Sequence, residues 1–282
     1  MLGSAVCRSE CVSYILPRNR HYTIIKKHKH SFAIEMDKYG LVGYPLGHSF
    51  SKKFFNDKFA KEGIDALYTN FEIPSIEEFP RIIAETPELR GLNVTIPYKQ
   101  QVMQYLDNIS PEAEAIGAIN VIKVEHFNGK TQLTGYNSDV IGFVNSLRPL
   151  LQPHHKKALI LGTGGASKAI YYGLTEKLGL ETLFVSRTSR KGMITYDDIT
   201  PSILKEYEVV VNCTPTGMFP HTDECPKLPY ECLTSNNLLY DLVYNPEETL
   251  FMKKGAEQGA TVKSGLEMLL LQALAAWDFW NQ

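Results

Sequence analysis

Three groups of residues in this 282-residue chain have types and spacings suited to chemistry. The first is Gly162-Thr163-Gly164-Gly165-Ala166-Ser167, set between an apolar strand-like run and a helix-period segment. A glycine turn there lets backbone N–H groups and a helix N-terminus meet a pyrophosphate. Ser167 stands where the dinucleotide fingerprint has its third glycine, and with Ala169 it also breaks the pattern of a kinase phosphate loop. The second group follows the next strand, where Ser186-Arg187-Thr188-Ser189-Arg190 offers two guanidiniums and no acid. An NAD site places a carboxylate there for the ribose 2′-OH, whereas the planar fork of Arg suits a 2′-phosphate, so NADP is the expected cofactor. The third group lies in the first half of the chain. Gly47-His48-Ser49-Phe50-Ser51 precedes a helix, Asn93-Val94-Thr95-Ile96-Pro97-Tyr98-Lys99 follows a strand, and Asn120, Asn137 and Asp139 sit near later strand ends. Ser49 and Ser51 could receive an anion such as a carboxylate, or Ser51 could be a plain helix cap. Asn93, Thr95 and Lys99 would project from the carboxyl end of a strand, where α/β proteins build their sites.

The elements that must hold these groups follow from periodicity. From Tyr39 onward, short apolar runs alternate with helix-period segments, which predicts βαβ units and a parallel sheet. Strands are expected over 39–42, 68–73, 92–95, 158–161, 182–185, 209–212, 238–242 and 261–263. A hairpin over 120–126 and 132–136 should turn at Asn128-Gly129. Helices are expected over 76–85, 98–106, 111–116, 139–147 and 266–280, and from the glycine turn to 178, with another after Ser51. Pro149, Pro153 and the polar stretch His154-His155-Lys156-Lys157 read as a solvated linker at a domain boundary, not as a metal site.

Composition narrows the function classes. Apolar residues make up 44% and charged residues 21%, as in soluble globular proteins. Lys and Arg number 29 against 31 acids, so the net charge of −2 gives no electrostatic case for nucleic acid and favours a small-molecule partner. No run approaches the roughly 18 apolar residues of a membrane span. Five cysteines without a CxxC pair suggest reduced thiols and a cytoplasmic location. Residues 1–35 carry +4 and leave −6 for the rest of the chain. Lacking an apolar h-region, they read as a non-conforming or disordered N-terminal extension before Met36. A transit peptide and a nucleic-acid contact are the lesser alternatives there.

The motifs YGLVGYPLGHSFS (39–51), NVTIPYK (93–99), GAIN (117–120), YNSD (136–139), GTGGAS (162–167), NCTPTGM (212–218) and LEMLLLQA (266–273) together resemble the shikimate dehydrogenase family over residues 38–282. The resemblance implies two α/β domains with an active-site cleft between them. Residues 36–145 plus 267–282 would bind substrate, and 146–266 would form a Rossmann-like NADP-binding domain. The implied reaction is reversible reduction of 3-dehydroshikimate to shikimate by NADPH, on the chorismate route to aromatic amino acids. By motif, Lys99 and Asp139 match the family's catalytic pair. Ser49 and Ser51 would hold the substrate carboxylate; Asn93, Thr95, Asn120, Asp139 and Gln272 the ring hydroxyls; Tyr244 would also face the substrate. Gly162, Thr163, Gly164, Gly165, Ala166 and Ser167 would cradle pyrophosphate, and Ser186, Arg187, Thr188 and Arg190 the 2′-phosphate. Thr214, Met218, Leu242 and Gly265 would line the nicotinamide end.

Two departures bear on the cofactor: Ser186 replaces the family's usual Asn, and 191–201 looks short for a helix, which leaves some NAD use open. Ser138 replaces a usual Thr, a mild change. Two other readings stand beside the main one, a quinate/shikimate dehydrogenase of broader scope and a non-catalytic NADP-binding sensor. The chain is expected to be a monomer or homodimer without a metal, nucleic-acid or membrane partner.

Overall fold

Apolar runs buried on both faces pair as strands, and the helix-period segments between them cover those faces. The computed structural model describes residues 36–47 and 50–282, so the expectations for residues 1–35 and for Ser49 lie outside the described residues. The strands form two six-stranded sheets. The first contains β1 (Asp37–Gly43), β2 (Ala66–Glu72), β3 (Leu89–Val94), β4 (Asn108–Ile109), β5 (Val121–Phe127) and β6 (Lys130–Tyr136), in the order β2-β1-β3-β5-β6-β4. β1 is parallel to β2 and β3, while β5 runs antiparallel to both β3 and β6. Asn128 and Gly129 join β5 to β6 at φ of 50° and 75°, the conformation that a two-residue hairpin turn needs. The second sheet is parallel throughout. Its strands β7 (Lys157–Leu161), β8 (Glu181–Ser186), β9 (Met193–Thr195), β10 (Val209–Asn212), β11 (Leu238–Asp241) and β12 (Thr261–Lys263) take the order β12-β11-β10-β7-β8-β9.

Eight α-helices are present among the described residues: α1 (Phe50–Glu62), α2 (Phe79–Glu85), α3 (Pro111–Ile116), α4 (Asp139–Leu147), α5 (Gly165–Tyr172), α6 (Pro201–Glu206), α7 (Leu250–Glu257) and α8 (Leu266–Trp280). Two of them tie the sheets together. Phe143 and Leu147 of α4 pack with Ala158, Ile160, Val209 and Val211 of the second sheet. α8 leaves the second sheet after β12 and returns to the first, where Trp280 joins Tyr39, Phe55 and Tyr68 and donates to the Ile122 carbonyl at 3.1 Å. α4 and α8 meet backbone to backbone at Gly142, where an added Cβ would stand 2.5 Å from the Met268 carbonyl oxygen.

The structure departs from the periodicity in several places. The segment over 98–106 is not an α-helix: its regular part is a 3₁₀ stretch, Gln101–Tyr105. The Lys99 carbonyl is taken by the Ile119 amide at 2.7 Å, so Met103 bonds to Gln100 instead of completing an α-turn. The helix expected to reach 178 widens after Tyr172 into a π-turn, Gly173–Lys177, in which the Thr175 hydroxyl competes for the Tyr171 carbonyl. The segment 191–201 provides the edge strand β9 before α6 begins, and α7 has no counterpart among the expected helices. His155 is no solvated linker residue. It is buried, accepts the Gln152 N–H through Nδ1 at 3.0 Å and donates from Nε2 to Asn236 O at 2.9 Å.

A buried polar cluster shapes the second sheet's carboxyl edge. Asp241, at the end of β11, accepts hydrogen bonds from Asn212 Nδ2 (2.9 Å), the Val243 N–H (3.0 Å) and the Thr249 hydroxyl (2.6 Å). Asn212 in turn receives both the N–H and the hydroxyl of Thr214 on Oδ1. Burial pushes the Asp241 carboxyl up to about 6 from 3.8, against the pull of its three donors.

Both the Asp241 cluster and the Gly142 crossing bear on stability. Because the folded protein holds a proton on Asp241 more tightly than the unfolded chain, this group favours folding most below about pH 4, and its contribution is lost as pH rises through 6. In Asp241→Asn the amide oxygen can keep the Asn212 and Val243 donors, and the amide nitrogen can reverse the Thr249 bond by donating to its hydroxyl oxygen. Denaturant unfolding between pH 4 and pH 7 is expected to shift in the variant's favour, relative to the wild type, by about 2 kcal/mol. Gly142→Ala is expected to lower unfolding free energy by about 1–3 kcal/mol, because α4 and α8 must move apart.

Candidate active site

Strand register decides where the candidate residues emerge. Val42 of β1 pairs with Val94 of β3, so the loop after β1 and the segment Thr95–Lys99 leave the first sheet at one edge. Val121 pairs with both Asn93 and Tyr136, so Asn120 and the stretch Asn137–Asp139 arrive at that same edge from antiparallel strands. In the second sheet Leu161, Val185, Asn212 and Asp241 are mutually in register, and every loop that follows them exits at the carboxyl edge. Helix α8 then brings Gln272 back to the first sheet's edge.

A cleft of about 520 Å³ lies where these loops meet. Ser51, Asn93, Thr95, Lys99, Asn120, Asp139, Tyr244 and Gln272 line it, together with Met218, Leu242 and Gly265. Lys99 Nζ donates to Asp139 Oδ2 at 2.5 Å, and the two side chains retain 15% and 10% exposure. Asp139 opens α4, where the positive end of the helix dipole complements its carboxylate. Its other oxygen, Oδ1, accepts from Asn120 Nδ2 at 2.8 Å.

Asn120 is heavily committed to the protein. Its Nδ2 also donates to the Ser138 hydroxyl at 3.0 Å, and its Oδ1 accepts the Ser138 N–H at 2.6 Å. One Oδ1 lone pair is left to act as a ligand, so orienting Asp139 is the larger share of its work. Asn137 serves α4, accepting the Val140 N–H at 3.2 Å and donating to Ala118 O at 2.9 Å. The Ser138 hydroxyl also stands 3.4 Å from Gln272 Oε1, linking α4 to α8 at the cleft. Tyr244 reaches across from the second sheet, its ring 6.4 Å from that of Phe50.

The glycine turn, Ser186, Arg187, Thr188, Arg190 and Thr214 do not line this cleft. Gly162 has φ +98°, and a Cβ there would come within 2.8 Å of the Thr214 methyl group, so glycine is required where the two loops touch. Gly164 and Gly165 have open space where their side chains would be, at the head of α5, whose first N–H groups lack intrahelical partners. Ser167, in place of the third glycine, is buried and donates its hydroxyl to Gly164 O at 2.7 Å, closing the turn from within. Arg187, Thr188 and Arg190 are exposed beyond β8, while Ser186 accepts the Thr188 N–H at 3.3 Å and shapes that turn. Open glycine backbone at a helix head beside exposed guanidiniums fits a dinucleotide that carries an extra phosphate.

Sequence spacing did not single out the cleft's apolar wall, Leu41, Phe50, Met268 and Leu269. These are ordinary core residue types, and only tertiary packing opens them to a cavity. Among the described residues no cluster of His, Cys, Asp and Glu could hold a metal ion, and no helix is long and apolar enough to cross a membrane.

Residues 41–122 match the family model for the shikimate dehydrogenase substrate binding domain. The NADP(+)-type shikimate dehydrogenase of Carboxydothermus hydrogenoformans is 37% identical over 259 residues, covering 86% of this chain and 90% of the relative. The Thermus thermophilus shikimate 5-dehydrogenase, solved with NADP(H) and shikimate, is 30% identical with a TM-score of 0.75, covering 87% of this chain and 93% of that one. The Listeria monocytogenes enzyme, solved with shikimate and NAD, is 28% identical with a TM-score of 0.75, covering 87% and 92% of the two chains. With identity of this order along nearly the full length of its relatives, and the same two-sheet architecture, the chain belongs to the shikimate dehydrogenase family.

Proposed function

We propose that this protein catalyses the reversible, NADPH-dependent reduction of 3-dehydroshikimate to shikimate, with Lys99 as the proton donor and Asp139 as its partner. The observation that carries this reading is the Lys99–Asp139 contact of 2.5 Å inside a cleft lined by Asn, Thr, Ser and Gln side chains. Such a lining suits a small polyhydroxylated ring, and hydroxyls held by directed hydrogen bonds are what discriminate one ring from another.

NADPH, when bound, supplies a hydride to the ketone carbon. This leaves negative charge on the ketone oxygen, which a nearby ammonium stabilises and then neutralises by giving up a proton. Lys99, in the cleft and paired with Asp139, would serve both tasks. Asp139 holds the ammonium on Oδ2, and Asn120 holds Asp139 on Oδ1, so the amine keeps one position throughout. In the reverse direction Lys99 accepts the proton of the ring hydroxyl that becomes the ketone. Thr95, Asn93 and Gln272 would hold the remaining ring oxygens, and Ser51 with Ser49 the substrate carboxylate. Gly162–Ser167 would receive the pyrophosphate of the dinucleotide, and Arg187 and Arg190 its 2′-phosphate.

The test follows NADPH formation from NADP+ and shikimate by the purified chain, with quinate and NAD+ in parallel. Shikimate-selective turnover is expected. Comparable rates with quinate or NAD+ would assign the broader quinate/shikimate activity, and NADPH binding without any turnover would assign the sensor. Lys99→Ala is expected to lower kcat by about 10²–10⁴-fold while NADP+ still binds. Replacing Arg187 and Arg190 with Ala should raise KM for NADP+ by about tenfold or more and leave KM for NAD+ nearly unchanged. Initial rates with each cofactor read this directly.

A further inference from the structure

Beneath the cleft, outside its lining, Tyr68 of β2 is completely buried. Its hydroxyl lies 2.8 Å from Asn93 Oδ1, and because that oxygen has no hydrogen the phenol must donate. The Asn93 carboxamide is pinned on its other side as well, since Nδ2 donates to the Asn120 carbonyl at 3.2 Å. A flipped amide would set its oxygen against the Asn120 carbonyl oxygen, two acceptors face to face. The same phenol hydrogen-bonds Ser51, which lines the cleft, and burial pushes it well above its ordinary range, so it stays protonated as a donor.

We infer that Tyr68 is a positioning residue that locks the Asn93 carboxamide with its nitrogen toward the cleft, so that this position donates a hydrogen bond and recognises an oxygen lone pair on the substrate ring. One Nδ2 proton is spent on Asn120, and the second is free for the ligand. Without the phenol proton, Asn93 Oδ1 would be a buried acceptor lacking a partner, and the 3.2 Å bond to the Asn120 carbonyl would be left alone to orient the amide. The ring of Tyr68 is held separately, stacked on Phe55 at 4.9 Å, and its backbone bonds to both ends of the Asn56 amide. Tyr68→Phe therefore removes the proton and keeps the packing.

The inference rests on the shikimate reading above for its choice of substrate. Tyr68→Phe is expected to raise KM for shikimate about tenfold, with KM for NADP+ nearly unchanged and the melting temperature lowered by only about 2–8 °C. In the Asn93→Ala background Tyr68→Phe should raise KM for shikimate by far less than tenfold, because the amide route is gone and only the phenol's hydrogen bond with Ser51 remains. A Tyr68→Phe enzyme with wild-type KM for shikimate, or a Tyr68→Phe effect as large in the Asn93→Ala background as in the wild type, overturns the inference. A second readout needs no turnover: the Asn93 side-chain NH2 signal in the ¹⁵N NMR spectrum, identified by its loss in Asn93→Ala, should move in Tyr68→Phe. An unmoved signal also overturns the inference. Absence of shikimate turnover in the wild type, with that signal displaced in the variant, would overturn the functional reading and leave the amide lock standing.

Discussion

The contact on which the molecule most depends is the crossing of α4 and α8 at Gly142, where one methyl group would meet the Met268 carbonyl at 2.5 Å. α4 follows the first sheet directly and packs Phe143 and Leu147 against strands of the second. α8 comes last in the chain, leaves the second sheet and lies back on the first. Their crossing thus sets how the two sheets face each other. It also sets the site, because Asp139 heads α4 and Gln272 lies on α8, with Ser138 between them at 3.4 Å from Gln272. Backbone approach of this kind leaves little slack in how far apart the cleft walls stand.

Around that crossing, much of the buried polarity is architectural. Asn120, Asn137, Asn212 and Asp241 spend their hydrogen bonds on strand ends and loops more than on the cleft. Partnered groups of this kind cost little, whereas any one left alone in a low-dielectric interior would cost a great deal, so each network favours a single arrangement. This is how a lysine and a carboxylate reach 2.5 Å on segments forty residues apart in sequence. Asp139 is fixed from the far side by an amide that is itself fixed by Ser138.

Much of the fold was legible because period-2 and period-3.6 apolar patterns report which face each segment buries. The strands of the second sheet other than β9, the Asn128-Gly129 hairpin and the start of α4 at Asp139 all fall where the pattern places them. Failures came where a long-range partner overrode a local preference. Gln101–Tyr105 has helical spacing, yet the Ile119 amide takes the carbonyl that an α-turn needs. His155 is a polar residue in a polar stretch, and its buried ring finds a hydrogen-bond partner in the Asn236 carbonyl, far along the chain. Leu41, Phe50, Met268 and Leu269 carry no chemical signal of their own.

The sequence by itself determined the residue types of the site and the order of the motifs, since a glycine that must take φ +98°, a lysine or a guanidinium is specified at its own position. It also determined that the sheets are mostly parallel, through the spacing of strand and helix patterns. Tertiary structure alone decided which groups act on a ligand and which hold other groups in place. Tyr68 and Asn120 show the difference: a tyrosine in a strand and an asparagine at a turn are unremarkable locally. Their roles come from hydrogen bonds to residues 25 and 19 positions away, which exist only once β-strand register and the helix crossing have brought those atoms within about 3 Å.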